Sequence, residues 1–280
     1  MTEKILADKN RVVRHSALEL FEHWAIALSG LVLLLTGIFE LPVAKRYYIV
    51  TVPGLGWTAD FITSLYLHYA AAIVFAGVAL FHVVYHLLLG EKGLWPKRGD
   101  MAASVQVIKS FLGFGKEPPM NKYLPEQRLA YVGMAVIILM LIVSGLVKTY
   151  KNIYAPDLSW TVVLWATWVH NIGFVLFFLA FIAHIAAIVL KPNRPMVRGI
   201  FTGKVRLDYA RHRHALWVAG LEEARASVAM SQERQKRDAA TDEMTEESVA
   251  SGPDAEDDAL RNSPAAPADQ AEAAEKNPKD

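Results

Sequence analysis

The segment Trp165–Leu190 constrains the fold of this chain more than any other stretch. It is apolar at nearly every position and carries two histidines, His170 and His184. A run of about 20 apolar residues is long enough to cross the hydrocarbon core of a bilayer as a helix. Histidine is costly at membrane depth, so its presence there indicates a functional site. The segment therefore predicts a transmembrane helix whose function depends on its two imidazoles.

The spacing of the two histidines places both on one side of this helix. They are fourteen residues apart, which corresponds to about 21 Å of helix axis and to a rotation that returns within about 40° of the starting face. One imidazole then lies near each membrane surface. Two stacked metal centres, such as two haems, require this arrangement.

Three further apolar runs predict three more spans, so the expected fold is an all-α integral membrane bundle of four transmembrane helices. The runs are Trp24–Leu41, Leu65–Leu89 and Leu129–Val147. With 53% hydrophobic residues and a mean hydropathy of +0.23, the composition is that of a membrane protein. The chain has no cysteine, which excludes disulfides, thiolate-bound iron–sulfur clusters and covalent c-type haem.

Charge and composition divide the chain into four parts. These are a basic N-terminal segment (1–21), the membrane domain (22–190), a basic and helix-compatible segment (191–237) and an acidic tail (238–280) that is predicted to be disordered. Lys and Arg are concentrated before the first span, between the second and third, and after the fourth. The positive-inside rule therefore predicts that both termini lie in the cytoplasm.

The other histidines within the spans match these two in depth. His68 belongs at the outer end of the second span, level with His170. At the inner end, His184 has two candidate mates, His23 on the first span and His82 on the second. A b-type haem takes axial imidazoles from facing helices, and each imidazole needs a hydrogen bond at its other ring nitrogen. The depths predict an outer and an inner haem held between helices, with the inner pairing open.

The remaining histidines have simpler interpretations. His86 lies near the headgroups, where a polar interfacial role is expected, whereas His82 is also a candidate for a haem propionate contact or a proton route. His15, His212 and His214 lie in polar segments and are predicted to be exposed. The spans also contain glycines that let a flat ring or a neighbouring backbone come close, namely Gly30, Gly37, Gly77, Gly133, Gly145 and Gly173.

Two stretches carry a resemblance to a known family. Residues 22–38 read EHWAIALSGLVLLLTGI, and residues 198–217 read RGIFTGKVRLDYARHRHALW. They resemble the first span and the ending of the dihaem cytochrome b subunits of membrane formate dehydrogenases, which are related to those of nickel–iron hydrogenases. The resemblance covers residues 12–217 and is most specific at four histidines and at residues 199–205. The four histidines are His23, His68, His170 and His184. It implies a four-helix membrane bundle with two b haems.

The resemblance also implies ligands and partners. His68 and His170 resemble the ligands of the outer haem iron, and His23 and His184 those of the inner one. Such a subunit sits in the bacterial inner membrane as a multi-pass protein. It links an iron–sulfur subunit, and through it a catalytic subunit, on the outer side to menaquinone or ubiquinone near the inner haem.

The entry to the third span gives the candidate quinone contacts. The family often reads Tyr-Asn-x-x-Gln/Glu-Lys there, whereas residues 123–128 read YLPEQR and lack the Asn. Glu126 and Gln127 are therefore the candidate contacts. The sequence contains no nucleophile constellation, phosphate loop or dinucleotide fingerprint. We expect no primary substrate site in this chain and no nucleic acid partner.

The predicted function is electron transfer within a quinone-linked oxidoreductase complex, as in formate dehydrogenase. Alternatives that keep the haem are a subunit of a hydrogenase or a thiosulfate reductase-like complex, and a self-contained reductase of the b561 type. A further alternative is a haem-free histidine proton relay or transporter. Transporters of that kind use helices broken at mid-membrane, whereas the four apolar runs contain no proline.

Overall fold

The predicted bundle is confirmed: four helices of the computed structural model are long and apolar enough to cross a membrane. The structure describes residues 3–41, 46–111 and 113–250. In chain order, the strands and helices are β1 (Lys4–Leu6), β2 (Arg11–Val13), α1 (Ala17–Glu40), α2 (Phe61–Leu88), α3 (Asp100–Phe111), α4 (Pro125–Ile153), α5 (Trp160–Val189), α6 (Arg194–Thr202), β3 (Lys204–Arg206), α7 (Leu207–Arg213) and α8 (Ala215–Ala250). The membrane helices are α1, α2, α4 and α5.

Three of the membrane helices begin at residues that are typical of helix N-termini, ahead of the apolar runs that predicted these helices. At α1, Ser16 Oγ accepts a hydrogen bond from the backbone N–H of Glu19, whose carboxylate accepts one from the N–H of Ser16. This reciprocal arrangement is a capping box. Asp60 caps α2 by accepting from the N–H of Ile62. Pro125 opens α4, at a first-turn position where no backbone donor is needed.

The membrane helices pack in two close pairs, α1 with α2 and α4 with α5, and α1 also meets α5. Three residues join the pairs at the centre of the bundle. The rings of Phe75 on α2 and Phe177 on α5 meet edge to face with centroids 5.9 Å apart. A Cβ added at Gly30 of α1 would lie 3.2 Å from an atom of each ring. We call this contact the aromatic layer.

Outside the membrane helices, the segment before α1 and the segment after α5 form a small antiparallel sheet that was not predicted from the sequence. The strand order is β1-β2-β3, and Val12 of β2 lies opposite Val205 of β3. Both valines are buried against α7 and α8. Gly203 precedes β3 with a φ of +69°, and a Cβ there would lie 2.5 Å from the carbonyl oxygen of His15. Glycine is therefore needed at this position.

Histidines outside the spans differ in exposure. His212 is exposed, as predicted, and His15 is half-buried. His214 is fully buried, and its Nδ1–H donates to the carbonyl oxygen of Asn121 at 2.7 Å. Desolvation lowers the pKa of His214 to about 4, so the ring is neutral at pH 7. The prediction of exposure is wrong for His214, because its polar segment packs under the loop that precedes α4.

The basic loop between the second and third spans contains α3, which an ion pair fastens to the start of α4. Arg128 Nε donates to Asp100 Oδ2 at 2.8 Å, and Arg128 Nη2 donates to Asp100 Oδ1. Both residues are buried, with 5% of Asp100 and 6% of Arg128 exposed. Arg128 Nη1 also donates to the carbonyl oxygen of Tyr123 at 2.7 Å. One guanidinium thus ties α3 and the loop before α4 to the membrane bundle.

Residues 238–250, the first part of the predicted acidic tail, are helical. The chain divides into two units, 1–223 and 224–280, and the described part of the second is the continuation of α8 to Ala250. This interval is rich in strong helix formers. The ion pairs Glu233–Arg237 and Arg234–Asp238 have the i,i+4 spacing that stabilises a helix. Residues 251–280 of that tail lie outside the described residues, and the disorder of the tail stays a prediction.

Candidate functional site

Two histidines from α2 and α5 face each other at one end of the bundle. The ring centroids of His68 and His170 lie 6.3 Å apart, with an angle of 62° between the rings. His68 Nδ1 lies 2.8 Å from Thr36 Oγ1 on α1, and His170 Nδ1 lies 3.0 Å from Ser144 Oγ on α4. All four membrane helices therefore contribute to this pair, which we call the outer pair after the orientation predicted from the sequence.

The two hydroxyls fix the tautomers of the outer pair. Thr36 Oγ1 donates to the carbonyl oxygen of Val32 at 2.8 Å, and Ser144 Oγ donates to that of Met140 at 2.6 Å. A hydroxyl has a single hydrogen, so each of these oxygens accepts from the Nδ1–H of its histidine. The Nε2 of each ring then keeps its lone pair, which is the form of imidazole that binds a metal.

A second pair lies at the other end of α5. The ring centroids of His23 on α1 and His184 on α5 are 6.4 Å apart, with the rings at 50°. Trp24 contacts the His23 ring by its edge and donates from Nε1 to the carbonyl oxygen of Ile200 at 3.0 Å. His82, the other candidate mate of His184, is bonded at both ring nitrogens to other side chains. The structure thus brings His23 to His184 as the inner pair.

The separation within each pair suits one metal ion between the rings. An imidazole nitrogen binds a transition metal at about 2.0–2.1 Å and lies roughly 1.1 Å from its ring centroid, so two axial imidazoles on one ion have centroids about 6.3 Å apart. The observed separations are 6.3 and 6.4 Å. Two imidazoles are also the axial ligands that a low-spin b-type haem takes. Both pairs therefore fit a bis-histidine haem.

Glycines lie against the rings of the outer pair. A Cβ added at Gly145 would lie 3.3 Å from Cε1 of His170, and one at Gly37 would lie 3.9 Å from Cε1 of His68. Larger side chains at these positions would crowd the imidazoles. Of the other predicted glycines, Gly30 and Gly173 pack against side chains. At Gly77 and Gly133 an added Cβ would meet no described atom within 4 Å.

The two pairs share a seven-residue period that runs along three helices. Seven residues at 100° each return to within about 20° of the same face. The aromatic layer therefore lies midway between the outer and inner pairs. The residues at this spacing are His23, Gly30 and Gly37 on α1, His68, Phe75 and His82 on α2, and His170, Phe177 and His184 on α5.

His82 and His86 belong to a separate polar group, which we call the Glu22 cluster. His82 Nδ1 lies 3.0 Å from Glu22 Oε2, and His86 Nε2 lies 3.2 Å from the same oxygen. The other ring nitrogens reach the hydroxyl of Tyr131 at 3.0 Å and Glu91 Oε2 at 2.9 Å, respectively. Glu22 is 3% exposed. The cluster therefore joins α1, α2 and α4 at the end of the bundle that holds the inner pair.

The two candidate quinone contacts differ in their surroundings. Gln127 Oε1 accepts from the backbone N–H of Leu124 at 3.1 Å, so this side chain caps the start of α4. Glu126 is half-buried, and its Oε2 is buried without a hydrogen-bond partner among the described residues. Glu126 thus keeps an oxygen for a polar ligand, and Gln127 has a structural use. Their contact with a quinone stays a prediction.

The hydroxyls of the outer pair and the role of the Glu22 carboxylate were not predicted from the sequence. Thr36 and Ser144 make the same bond to their own helix as Thr167 and Ser29, which contact no histidine among the described residues. No signal in the sequence separates these two kinds of hydroxyl. Glu22 does carry one, because a carboxylate at the mouth of a membrane span is costly and indicates function.

Comparison with known proteins agrees with this geometry. The model of a family described as prokaryotic cytochrome b561 matches residues 14–203, which is more than half of the chain. The matched range contains all four membrane helices and both histidine pairs. No curated protein matches the chain.

Proposed function

Because the chain belongs to the prokaryotic cytochrome b561 family, we propose that this membrane haem b electron-transfer protein carries electrons between an iron–sulfur partner subunit and a quinone. One observation carries the proposal. Two histidine pairs, each with the centroid separation of a bis-imidazole metal centre, lie at opposite ends of the same helix, α5. The spacing between them spans about 21 Å of helix axis.

The ligands follow from these pairs. His68 and His170 would hold an outer haem, and His23 and His184 an inner one. When bound, the two haems supply one-electron redox centres near the two membrane surfaces. The protein holds the imidazoles in one tautomer at the outer site and separates the sites by the aromatic layer, which is apolar and buried at Phe75.

The predicted orientation and the polar groups near the inner pair indicate where the protein partners and the quinone would bind. With the basic segments in the cytoplasm, the outer pair faces the side where an iron–sulfur subunit and its catalytic subunit would dock. The quinone, menaquinone or ubiquinone, would bind near the inner pair, where Glu126 keeps an unpaired carboxylate oxygen. A formate dehydrogenase-type complex in the bacterial inner membrane fits this arrangement, and hydrogenase or thiosulfate reductase-like complexes use the same parts.

A haem count on the purified membrane protein tests the proposal. We expect about two b haems per chain from a pyridine haemochrome assay, with a dithionite-reduced minus oxidised spectrum of the b type. A preparation without a haem band would contradict the electron-transfer function and favour a histidine proton relay. Co-purification of a ferredoxin-like subunit separates the proposed complex from a self-contained b561-type reductase.

The hydroxyls of the outer pair give a second expected result. Thr36→Val or Ser144→Ala removes the acceptor for the Nδ1–H of a histidine in the outer pair. Loss of such a hydrogen-bond partner of a metal-binding histidine typically lowers metal affinity by about 10–100-fold. We expect weaker retention of one haem and a shifted midpoint potential for that haem alone, measured by redox titration.

Matched controls are available on the same helices. Ser29 and Thr167 make the same bonds to their own helix backbone, so Ser29→Ala and Thr167→Val should leave both potentials unchanged. Equal shifts in the controls and in the two variants would contradict the role given to Thr36 and Ser144.

A further inference from the structure

We propose that the Glu22 cluster is a binding site for a divalent first-row cation of the Zn²⁺ type, held by Glu22, His82 and His86. The three side chains each offer one ligand atom, and these atoms all lie within 4.8 Å of one another. Two histidines and one glutamate are a donor set that Zn²⁺ takes, with a fourth position open to water. The proposed site uses none of the four paired histidines.

Two of the three distances between the ligand atoms are close to those of a tetrahedral site, and the third is within 4.8 Å. With bonds of about 2.0–2.1 Å, the ligand atoms around a tetrahedral zinc are roughly 3.3 Å apart. Glu22 Oε2 lies 3.0 Å from His82 Nδ1 and 3.2 Å from His86 Nε2. His82 and His86 are four residues apart on α2, so one helix face presents both rings. Small side-chain movements would complete the site.

The second nitrogen of each ring is supported as in metal sites. A histidine that binds a metal usually gives its other ring N–H to a carboxylate, carbonyl or water. His86 Nδ1 lies 2.9 Å from Glu91 Oε2, and His82 Nε2 lies 3.0 Å from the hydroxyl oxygen of Tyr131. Glu91 and Tyr131 would therefore orient the two ligands.

Glu22 carries an independent sign of a missing partner. Its side chain is about nine-tenths or more buried, and its Oε1 has no hydrogen-bond partner among the described residues. A buried carboxylate is costly unless its charge is paired and its oxygens are bonded. A divalent cation bound at this carboxylate would supply the opposite charge.

The cluster borders a pocket at one of its three proposed ligands, His86. A pocket of about 190 Å³ opens beside it and is lined by His86, Glu91, Lys92 and Trp95, among others. His86 and Glu91 thus belong both to the cluster and to the wall of the pocket. An entry path is one of the features expected of a real metal site.

The test uses the full-length protein with its haems in place, so that the paired histidines are not free to bind the added ion. After chelator treatment, the protein is titrated with Zn²⁺ alone, and bound zinc is measured by mass spectrometry and calorimetry. We expect one zinc per chain in the wild type. His82→Ala and His86→Ala should each lose that zinc, whereas the exposed control His212→Ala should keep it.

Two outcomes would overturn the site: no tightly bound zinc in the wild type, or zinc retained in both His82→Ala and His86→Ala. X-ray absorption on zinc-loaded wild type gives a reading that does not depend on how the variants fold. We expect two imidazole nitrogens plus oxygen ligands, and fewer than two imidazoles would overturn the proposal. The haem spectrum, recorded on each sample, reports separately on the proposed function.

Discussion

Replacing His170 by alanine should remove one of the two haems, and replacing His184 by alanine should remove the other. Each substitution deletes an axial ligand from a pair whose centroids lie 6.3 or 6.4 Å apart. We expect the pyridine haemochrome count to fall from about two to about one per chain. Electron transfer from the iron–sulfur subunit to quinone should be abolished in both variants, because the electrons have to pass through both haems.

Double substitutions identify the partners within each pair. His68→Ala combined with His170→Ala should lose no more haem than either alone, since both residues serve one site. His68→Ala combined with His184→Ala should lose both haems. The exposed His212→Ala is the control and should keep two. If His170→Ala or His184→Ala kept both haems, the pairing would be wrong.

Replacing Asp100 by alanine should destabilise the protein strongly. The substitution leaves Arg128, which is 6% exposed, without its carboxylate partner. Leaving a buried donor without its acceptor costs about 1–3 kcal/mol, and Arg128 keeps its hydrogen bond to the carbonyl oxygen of Tyr123. Denaturant-induced unfolding in detergent micelles measures the loss. Asp208→Ala, which breaks the exposed pair with Arg206, is the matched control and should change little.

The same pair gives a pH dependence with a definite sign. The hydrogen bonds from Arg128 lower the pKa of Asp100 below its ordinary value of 3.8. A carboxyl with a lowered pKa in the folded state adds stability above its unfolded pKa, and this stability is lost as the pH falls through the folded value. We expect the wild type to lose more stability than Asp100→Ala on acidification below pH 3.8. Equal acid sensitivity of the two proteins would contradict this role.

The membrane part of the fold was predictable because its signals are local. Long apolar runs define the four spans, and the fourteen-residue spacing on α5 places one histidine at each end. The pairing at the inner end was not predictable in this way, since His23 and His82 have the same depth. Resemblance favoured His23, and the structure places it beside His184.

What the sequence did not reveal depends on contacts between distant segments. Thr36 and Ser144 reach histidines on other helices, and nothing in their own segments marks them. The meeting of Glu22 with His82 depends on how α1 packs on α2. The three-residue strands are too short to show a period of two. Their pairing joins the segments that precede and follow the membrane domain in the sequence.

The sheet places a condition on how the protein is made. Val12 of β2 pairs with Val205 of β3, so the whole membrane domain lies between the two strands in the sequence. At a synthesis rate of about 5–20 residues per second, β2 waits roughly 10–40 s for its partner. During that time the edge of β2 that faces β3 is unpaired, although β1 can already pair with the other edge. The pairing of β2 with β3 closes only if both strands emerge on the same side. The sheet thus requires an even number of membrane crossings between β2 and β3, which four inserted helices provide.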